Sequence, residues 1–175
     1  DHVELKPRRG KSAVLDLIGR TCKHPAWKNP HDTQARDMSH AMSRLRKVTR
    51  PGSLVFLISD FRDMDQQAES HLINIARHND VVLIQVYDPV EAELPPAGSY
   101  RVSDGNNDLQ LNTADKKLRQ AYRQRFEQRQ ARLAKLCRQH RMYLLPVSTQ
   151  DDVLSSLQQG LGIPASKHAQ FKARA

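Results

Sequence analysis

The sequence lacks the residue patterns of most enzyme and cofactor-binding classes. Its two cysteines, Cys22 and Cys137, are far apart, and its eight histidines form no HxxxH, HxH or HExxH pair. Zinc ligation by these residues is therefore not indicated. Neither GxGxxG, GxxxxGK[ST] nor GxSxG occurs, which argues against a nucleotide site and against a serine nucleophile. We expect the chain to be no enzyme and to have no cofactor of its own.

Long apolar runs are also missing. No run approaches the roughly 20 residues of a membrane span, and residues 1–20 contain no signal-peptide core. The composition, 38% hydrophobic and 27% charged, is typical of a soluble globular protein. We expect a cytoplasmic chain that makes no membrane contact itself. Because it begins at Asp1 and not at methionine, a membrane anchor of the parent protein outside this chain stays open.

Positive charge is abundant but concentrated in one segment. Residues Asp115–Arg141 contain ten Lys or Arg against two acidic residues, so this segment carries +8 of the net charge of +9. A basic helix over residues 113–141 makes nucleic acid the alternative partner. Its only aromatic residues, Tyr122 and Phe126, lie on the apolar stripe, so base stacking is not indicated. We therefore favour a solvated helix face over nucleic-acid binding.

The apolar pattern predicts an α/β fold. Ser53–Ser59 and Val81–Tyr87 are continuous runs rich in β-branched residues, as in parallel strands buried on both faces. Asp65–His78 between them has a helical apolar stripe, which completes a strand, helix, strand unit. A long helix, Thr113–Arg141, and a third strand, Met142–Val147, follow. We predict an open, mainly parallel sheet with helices on both faces, a three-layer Rossmann-like arrangement.

The remaining segments complete one predicted domain over residues 1–162, followed by a flexible basic tail over 163–175. They comprise a short strand (Val3–Leu5), two helices (Gly10–Thr21 and about Asp32–Val48), a proline-broken loop (Asp88–Pro96), a hairpin (Tyr100–Val102 and Leu109–Leu111) and a last helix through Leu161 with Thr149 as its N-cap.

Polar residues at the predicted strand ends are the candidate site, because ligands of such sheets bind beyond the carboxyl ends of the strands. Asp60, Asp88 and Ser148 lie at these ends. Asp60 could hold a divalent cation or simply cap a turn. Asp88, with Glu91 and Glu93 close behind, could receive a cation or a basic partner, although a solvated loop is favoured. A metal-dependent hydrolase built on Asp60 and Asp88 is the weakest hypothesis, since it has no identified nucleophile.

Three blocks of sequence resemble a known family. They are Glu4–Lys11 (ELKPRRGK), Pro51–Phe61 (PGSLVFLISDF) and Asp88–Pro95 (DPVEAELP). Over about residues 3–162 the chain resembles the uncharacterised bacterial family called domain of unknown function 58. The resemblance implies a von Willebrand factor A-like fold, here incomplete at the N-terminus. It also implies an interaction or adaptor role beside a MoxR-type AAA+ ATPase, in chaperone-like assembly or metal insertion.

The same resemblance implies site residues. In the wider fold, a metal-ion-dependent adhesion site combines a DxSxS loop, a threonine and an aspartate after the fourth strand. Asp60 matches that aspartate and is the predicted remnant of the site. DxSxS has no counterpart, and Thr33 and Ser39 are not in clear register for the threonine, so Mg²⁺ is expected only in the complete domain. The predicted contact surface comprises Ser59, Asp60, Phe61, Asp88 and Glu91.

The strands that this chain is predicted to lack would be the neighbours of the strand at residues 53–59. In the strand order 3-2-1-4-5-6 of the family fold, the missing strands would lie beside it. The strand then becomes an apolar edge, which natural proteins avoid leaving bare. We expect it to be covered by a second copy in a homodimer, by a swapped segment or by the N-terminal residues.

Overall fold

The computed structural model describes residues 5, 8–24, 38–103 and 107–162. The described residues fall into two compact units: residues 5, 8–24, 103, 107 and 108 belong to the first, and residues 38–102 and 109–162 to the second. The helices and strands are α1 (Lys11–Cys22), α2 (Met38–Val48), β1 (Leu54–Ser59), α3 (Gln66–Ala76), β2 (Asp80–Tyr87), α4 (Pro89–Ala92), β3 (Ser99–Ser103), β4 (Asp108–Asn112), α5 (Lys116–Gln139), β5 (Tyr143–Ser148) and α6 (Val153–Gly160). Helix α1 belongs to the first unit and the parallel sheet to the second.

The sheet has three parallel strands in the order β1-β2-β5. Central strand β2 is the most buried, with five consecutive buried residues from Val81 to Gln85. This burial on both faces is what the continuous β-branched run predicts. The parallel α/β arrangement expected from the sequence is confirmed, as are the β3–β4 hairpin and helix α5.

Helices cover both faces of the sheet. On one face, β1 and β2 pack against α2, α3 and α5 around the buried Leu72, Leu83 and Leu136. On the other face, Val82, Ile84 and Val147 pack against Leu157 and Leu161 at α6. Asp65 begins α3, because its carboxylate accepts a hydrogen bond of 2.7 Å from Ala68 N and so caps the helix.

Strand β1 departs from the prediction of burial on both faces. Val55 is buried, but Leu54, Phe56 and Ile58 are 60%, 46% and 69% exposed. The register pairs Phe56 with Val82 and Ile58 with Ile84, so this exposed row shares the α6 face of the sheet. The prediction that β1 is buried on both faces is wrong. An apolar run shows which residue types a strand contains, but it does not show whether the strand lies at the edge of the sheet.

Several boundaries also differ from the predictions. The Asp88–Pro96 segment contains the short helix α4, for which Asp88 is the N-cap. Thr149 does not cap α6; Asp152 does, by accepting from Ser155 N at 3.2 Å. Ala41 of α2 is exposed, although the helical spacing of apolar residues places it on the same face as Met38, Met42 and Leu45. Leu5 lies outside any strand, and the other parts of the predicted Val3–Leu5 strand, residues 32–37 of the predicted second helix and the tail at 163–175 lie outside the described residues.

Candidate functional site

The three parallel strands end at one edge of the sheet, and the loops that follow them define the strand-end crevice. We use this name for residues 59–62 after β1, residues 88–91 after β2, and Ser148 and Thr149 at the end of β5. Thr149 N donates to Tyr87 O at the end of β2 at 2.9 Å, and the Thr149 side chain also contacts the loop after β2, at Asp88. The crevice is therefore held by the sheet and by contacts between its own loops.

The loop after β1 turns sharply. Phe61 has φ of 52°, a left-handed conformation that costs a non-glycine residue roughly 1–2 kcal/mol. Two short-range bonds hold the turn: Phe61 N donates to Ser59 Oγ at 3.1 Å and Arg62 N to Asp60 Oδ1 at 3.3 Å. The Phe61 ring is buried in the core cluster, which anchors the loop. The turn leaves Asp60 and Arg62 facing solvent.

Arg62 joins two loops of the crevice. Its Nη2 lies 2.5 Å from Glu91 Oε2, and its Nε lies 3.5 Å from Asp60 Oδ2. The hydrogen bond to Glu91, together with the charges of Glu91 and Asp60, raises the pKa of the Arg62 guanidinium despite its partial burial. Because the Arg62 side chain is about half exposed, this bridge positions the loops more than it stabilises the fold.

Asp88 and Glu91 form the capping box of α4. Asp88 Oδ1 accepts from Val90 N at 2.9 Å, and Glu91 Oε1 accepts from Asp88 N at 3.2 Å. The second Asp88 oxygen accepts from Thr149 Oγ1 at 3.0 Å. Helix α5 also contributes, since Tyr122 Oη donates to Val90 O at 2.9 Å. Both carboxylates are engaged in structural bonds and are not placed as an acid and a base around an open space.

The crevice brings together the predicted site residues in different ways. Asp60, Asp88 and Glu91 lie in its loops, and Ser148 is buried, with Oγ accepting from Gln150 N at 3.2 Å. Phe61 was predicted to be part of the contact surface, but its side chain is in the core. Glu93 lies outside the crevice and pairs with Arg123 at 2.6 Å.

Sequence reasoning missed Arg62, Tyr122 and Thr149 as members of the site. Arg62 is only two residues from Asp60, and this proximity is a local signal. Its contact with Glu91 is 29 residues away in the chain. Nothing in a single sequence indicates that pairing.

The residues described do not fit a metal centre at Asp60. The guanidinium of Arg62 lies beside its carboxylate, and no group of three or more His, Cys, Asp or Glu suited to a metal occurs in the described part of the chain. Ser39 is buried in α2, and Thr33 lies outside the described residues. Asp60 as a metal ligand stays a prediction from the resemblance.

The chain is a parallel α/β protein with a polar crevice at the carboxyl ends of its strands. The family follows from the sequence. Residues 2–132 match the family described as "Protein of unknown function DUF58". The match covers well over half of the chain, and the chain belongs to this family.

No curated protein matches the chain. A solved structure, the conserved hypothetical protein BatB from Bacteroides thetaiotaomicron, is similar over 75% of this chain, with 14% identity and a TM-score of 0.41. The chain spans about 60% of the length of that protein. Among the described helices, none combines the length and apolar character needed to cross a membrane.

Proposed function

We propose that this chain is a non-enzymatic protein-interaction module that acts as an adaptor or partner of a MoxR-type AAA+ ATPase, in chaperone-like assembly or metal insertion. The single observation behind the contact site is the strand-end crevice, in which Arg62 and Glu91 fix exposed polar groups of two loops. The partner class comes from the family resemblance alone.

The chemistry of the crevice favours binding over catalysis. Its carboxylates cap a helix or pair with Arg62, so a free general base is lacking among the described crevice residues. The loops are joined by the Arg62–Glu91 and Thr149–Asp88 contacts and carry half-exposed charges. Such loops suit recognition, because less conformational entropy is lost when a partner binds groups that are already held in place. Asp60 and Arg62 present both signs of charge side by side, which would fix the orientation of a polar partner.

Nucleic-acid binding through residues 113–141 receives less support. Phe126 is buried against Tyr87, with ring centroids 5.2 Å apart, and Tyr122 is bonded to α4. The two aromatic residues of α5 therefore offer no stacking surface. What remains is positive charge, which gives only salt-sensitive, unspecific affinity.

Capture by a purified MoxR-type ATPase tests the proposal. We expect the Asp60→Ala variant to be captured several-fold less than the unaltered chain, since the exposed carboxylate at the crevice is lost. Asp80→Ala is the matched control, because Asp80 is an exposed carboxylate at the opposite, amino end of β2. Equal capture of the Asp60 and Asp80 variants would show that the crevice is not the contact site. If no form of the chain were captured, a MoxR-type ATPase would not be the partner.

A further inference from the structure

A groove of about 610 Å³ lies between α3 and α5. Most of its lining is polar, but half-buried Ile73 from α3 and buried Leu136 from α5 are apolar, and we call these two residues the apolar floor. Arg132 and Lys135 line the α5 side, and Glu69 lines the α3 side. This volume lies in the range of sites that bury a few side chains of a ligand.

The charges of the groove are unequal. Arg132 Nη2 lies 2.8 Å from Glu69 Oε2, so the one lining carboxylate is already paired. Lys135 lies three residues further along, on the neighbouring turn of α5, and has no acidic partner among the described residues. The groove therefore has one paired cation and one unpaired cation beside an apolar floor.

The rest of α5 adds to this positive field. The helix carries nine Lys or Arg and a single acidic residue, Glu127. Arg129 and Arg138 are exposed on the turns before and after the groove residues. Charges within about one Debye length, roughly 10 Å at 0.1 M salt, act together on an approaching ligand. An anionic ligand is attracted, and a cationic one is repelled.

We infer that the α3–α5 groove docks an acidic segment of a partner protein that carries an aliphatic residue beside its carboxylates. The aliphatic residue contacts the half-buried Ile73, which gives affinity through the apolar area removed from water. A carboxylate pairs with Lys135, and a second competes with Glu69 for Arg132. Charge complementarity selects the segment, and the apolar floor fixes its position.

A protein segment fits this groove better than nucleic acid does. The lining contains no aromatic side chain on which a base could stack. Its floor is aliphatic, and such a surface gains nothing from a sugar-phosphate backbone. A duplex could use the cations of α5 but would leave Ile73 uncovered.

A short fluorescein-labelled peptide, rich in glutamate with one central leucine, tests the inference by fluorescence anisotropy with the full chain. We expect Lys135→Glu to weaken binding by about tenfold or more, since an attractive charge becomes repulsive. Lys117→Glu, the same change on the same helix outside the groove, should alter affinity by less than about twofold. Glu69→Gln should strengthen binding by a few-fold, because Arg132 loses its internal partner.

Other outcomes would overturn the inference. Equal loss in the Lys117 and Lys135 variants would mean diffuse charge attraction and no groove. An unchanged affinity when the peptide's leucine is replaced by serine would show that the apolar floor does not contribute to binding. Tighter binding of a random DNA duplex, with the same dependence on Lys135, would assign the groove to nucleic acid. The test uses no ATPase, so its result is independent of the function proposed above.

Discussion

Thr113, whose side chain has no exposed surface, joins the base of the β3–β4 hairpin to the chain before it. Its Oγ1 donates to Pro96 O at 2.7 Å and accepts from Gly98 N at 3.0 Å. Thr113→Val preserves the shape but leaves both backbone groups without this partner. We expect it to lower the free energy of unfolding by about 1–3 kcal/mol, as measured by urea denaturation.

Thr149→Val is the control for this change. Thr149 also donates a hydrogen bond, to Asp88, but Thr149 is exposed. Water can therefore replace the hydroxyl that the valine lacks. The loss should stay below about 0.5 kcal/mol. Equal losses in the two variants would show that burial of the Thr113 bonds has no energetic consequence.

Cys137 makes a pH-dependent contribution to stability. Burial raises the pKa of its thiol to about 11, whereas the pKa of a cysteine thiol in the unfolded chain is about 8.5. Between these values the unfolded chain loses a proton that the folded chain keeps, so the free energy of unfolding falls as the pH rises. Urea denaturation at several pH values between these two pKa values should show that the free energy of unfolding falls more steeply for the unaltered chain than for Cys137→Ala. Cys22→Ala, at the exposed cysteine, should follow the unaltered chain, and parallel curves for all three would contradict the assignment.

The residue types of the crevice could be predicted from the sequence, but their pairing could not. Asp60 and Asp88 follow apolar runs, and strand ends in a parallel sheet share an edge. The Arg62–Glu91 bridge depends on how two loops approach in space. The buried position of Phe61 depends on its positive φ, and neither feature has a periodic signal.

At the scale of elements, Gly160 of α6 shows where packing overrides helix propensity. A Cβ at this position would overlap the Leu145 side chain of β5. Gly160→Ala should therefore destabilise the fold by about 1–3 kcal/mol through overpacking, although alanine favours a helix. Gly19→Ala in α1, where a Cβ meets nothing within 4 Å, should be neutral or stabilising by up to about 1 kcal/mol.

A second substitution separates overlap from other effects at Gly160. Leu145→Ala in the Gly160→Ala background removes the overlapping atoms, so the double variant should lose less than the sum of the single losses. Thermal unfolding of the four proteins measures this coupling. Additive losses would mean that the contact with Leu145 does not constrain Gly160.

Helices and strands with a clear apolar periodicity could be predicted from the sequence. Features that depend on the neighbouring segments in space could not. Helices α3 and α5 and strand β2 follow from their apolar patterns. The single turn of α4 was overlooked because prolines suggested a loop, although Asp88-Pro89 with Glu91 is the sequence of a capping box. The edge position of β1 was deduced from the family's strand order, since LVFLIS reads the same at an edge and in the middle of a sheet.

For the whole molecule, the uncovered edge of β1 predicts self-association. Within the described residues β1 pairs only with β2, so one row of its backbone groups lacks a strand partner. Antiparallel pairing of two copies about a twofold axis at Phe56 would place Leu54 opposite Ile58 of the second copy. Even-numbered positions share one face, so the three exposed apolar side chains would align across the junction in this register.

Light scattering after size exclusion tests this pairing over a range of concentrations. We expect the unaltered chain to approach a mass of twice 20.0 kDa at high concentration. Ile58→Lys should shift it toward the monomer, because a lysine on an edge strand opposes pairing. Leu109→Lys is the control, since Leu109 is similarly exposed but lies on β4. A monomer at every concentration, or equal effects of both lysines, would mean that β1 is not the contact between copies and that another segment must cover its apolar row.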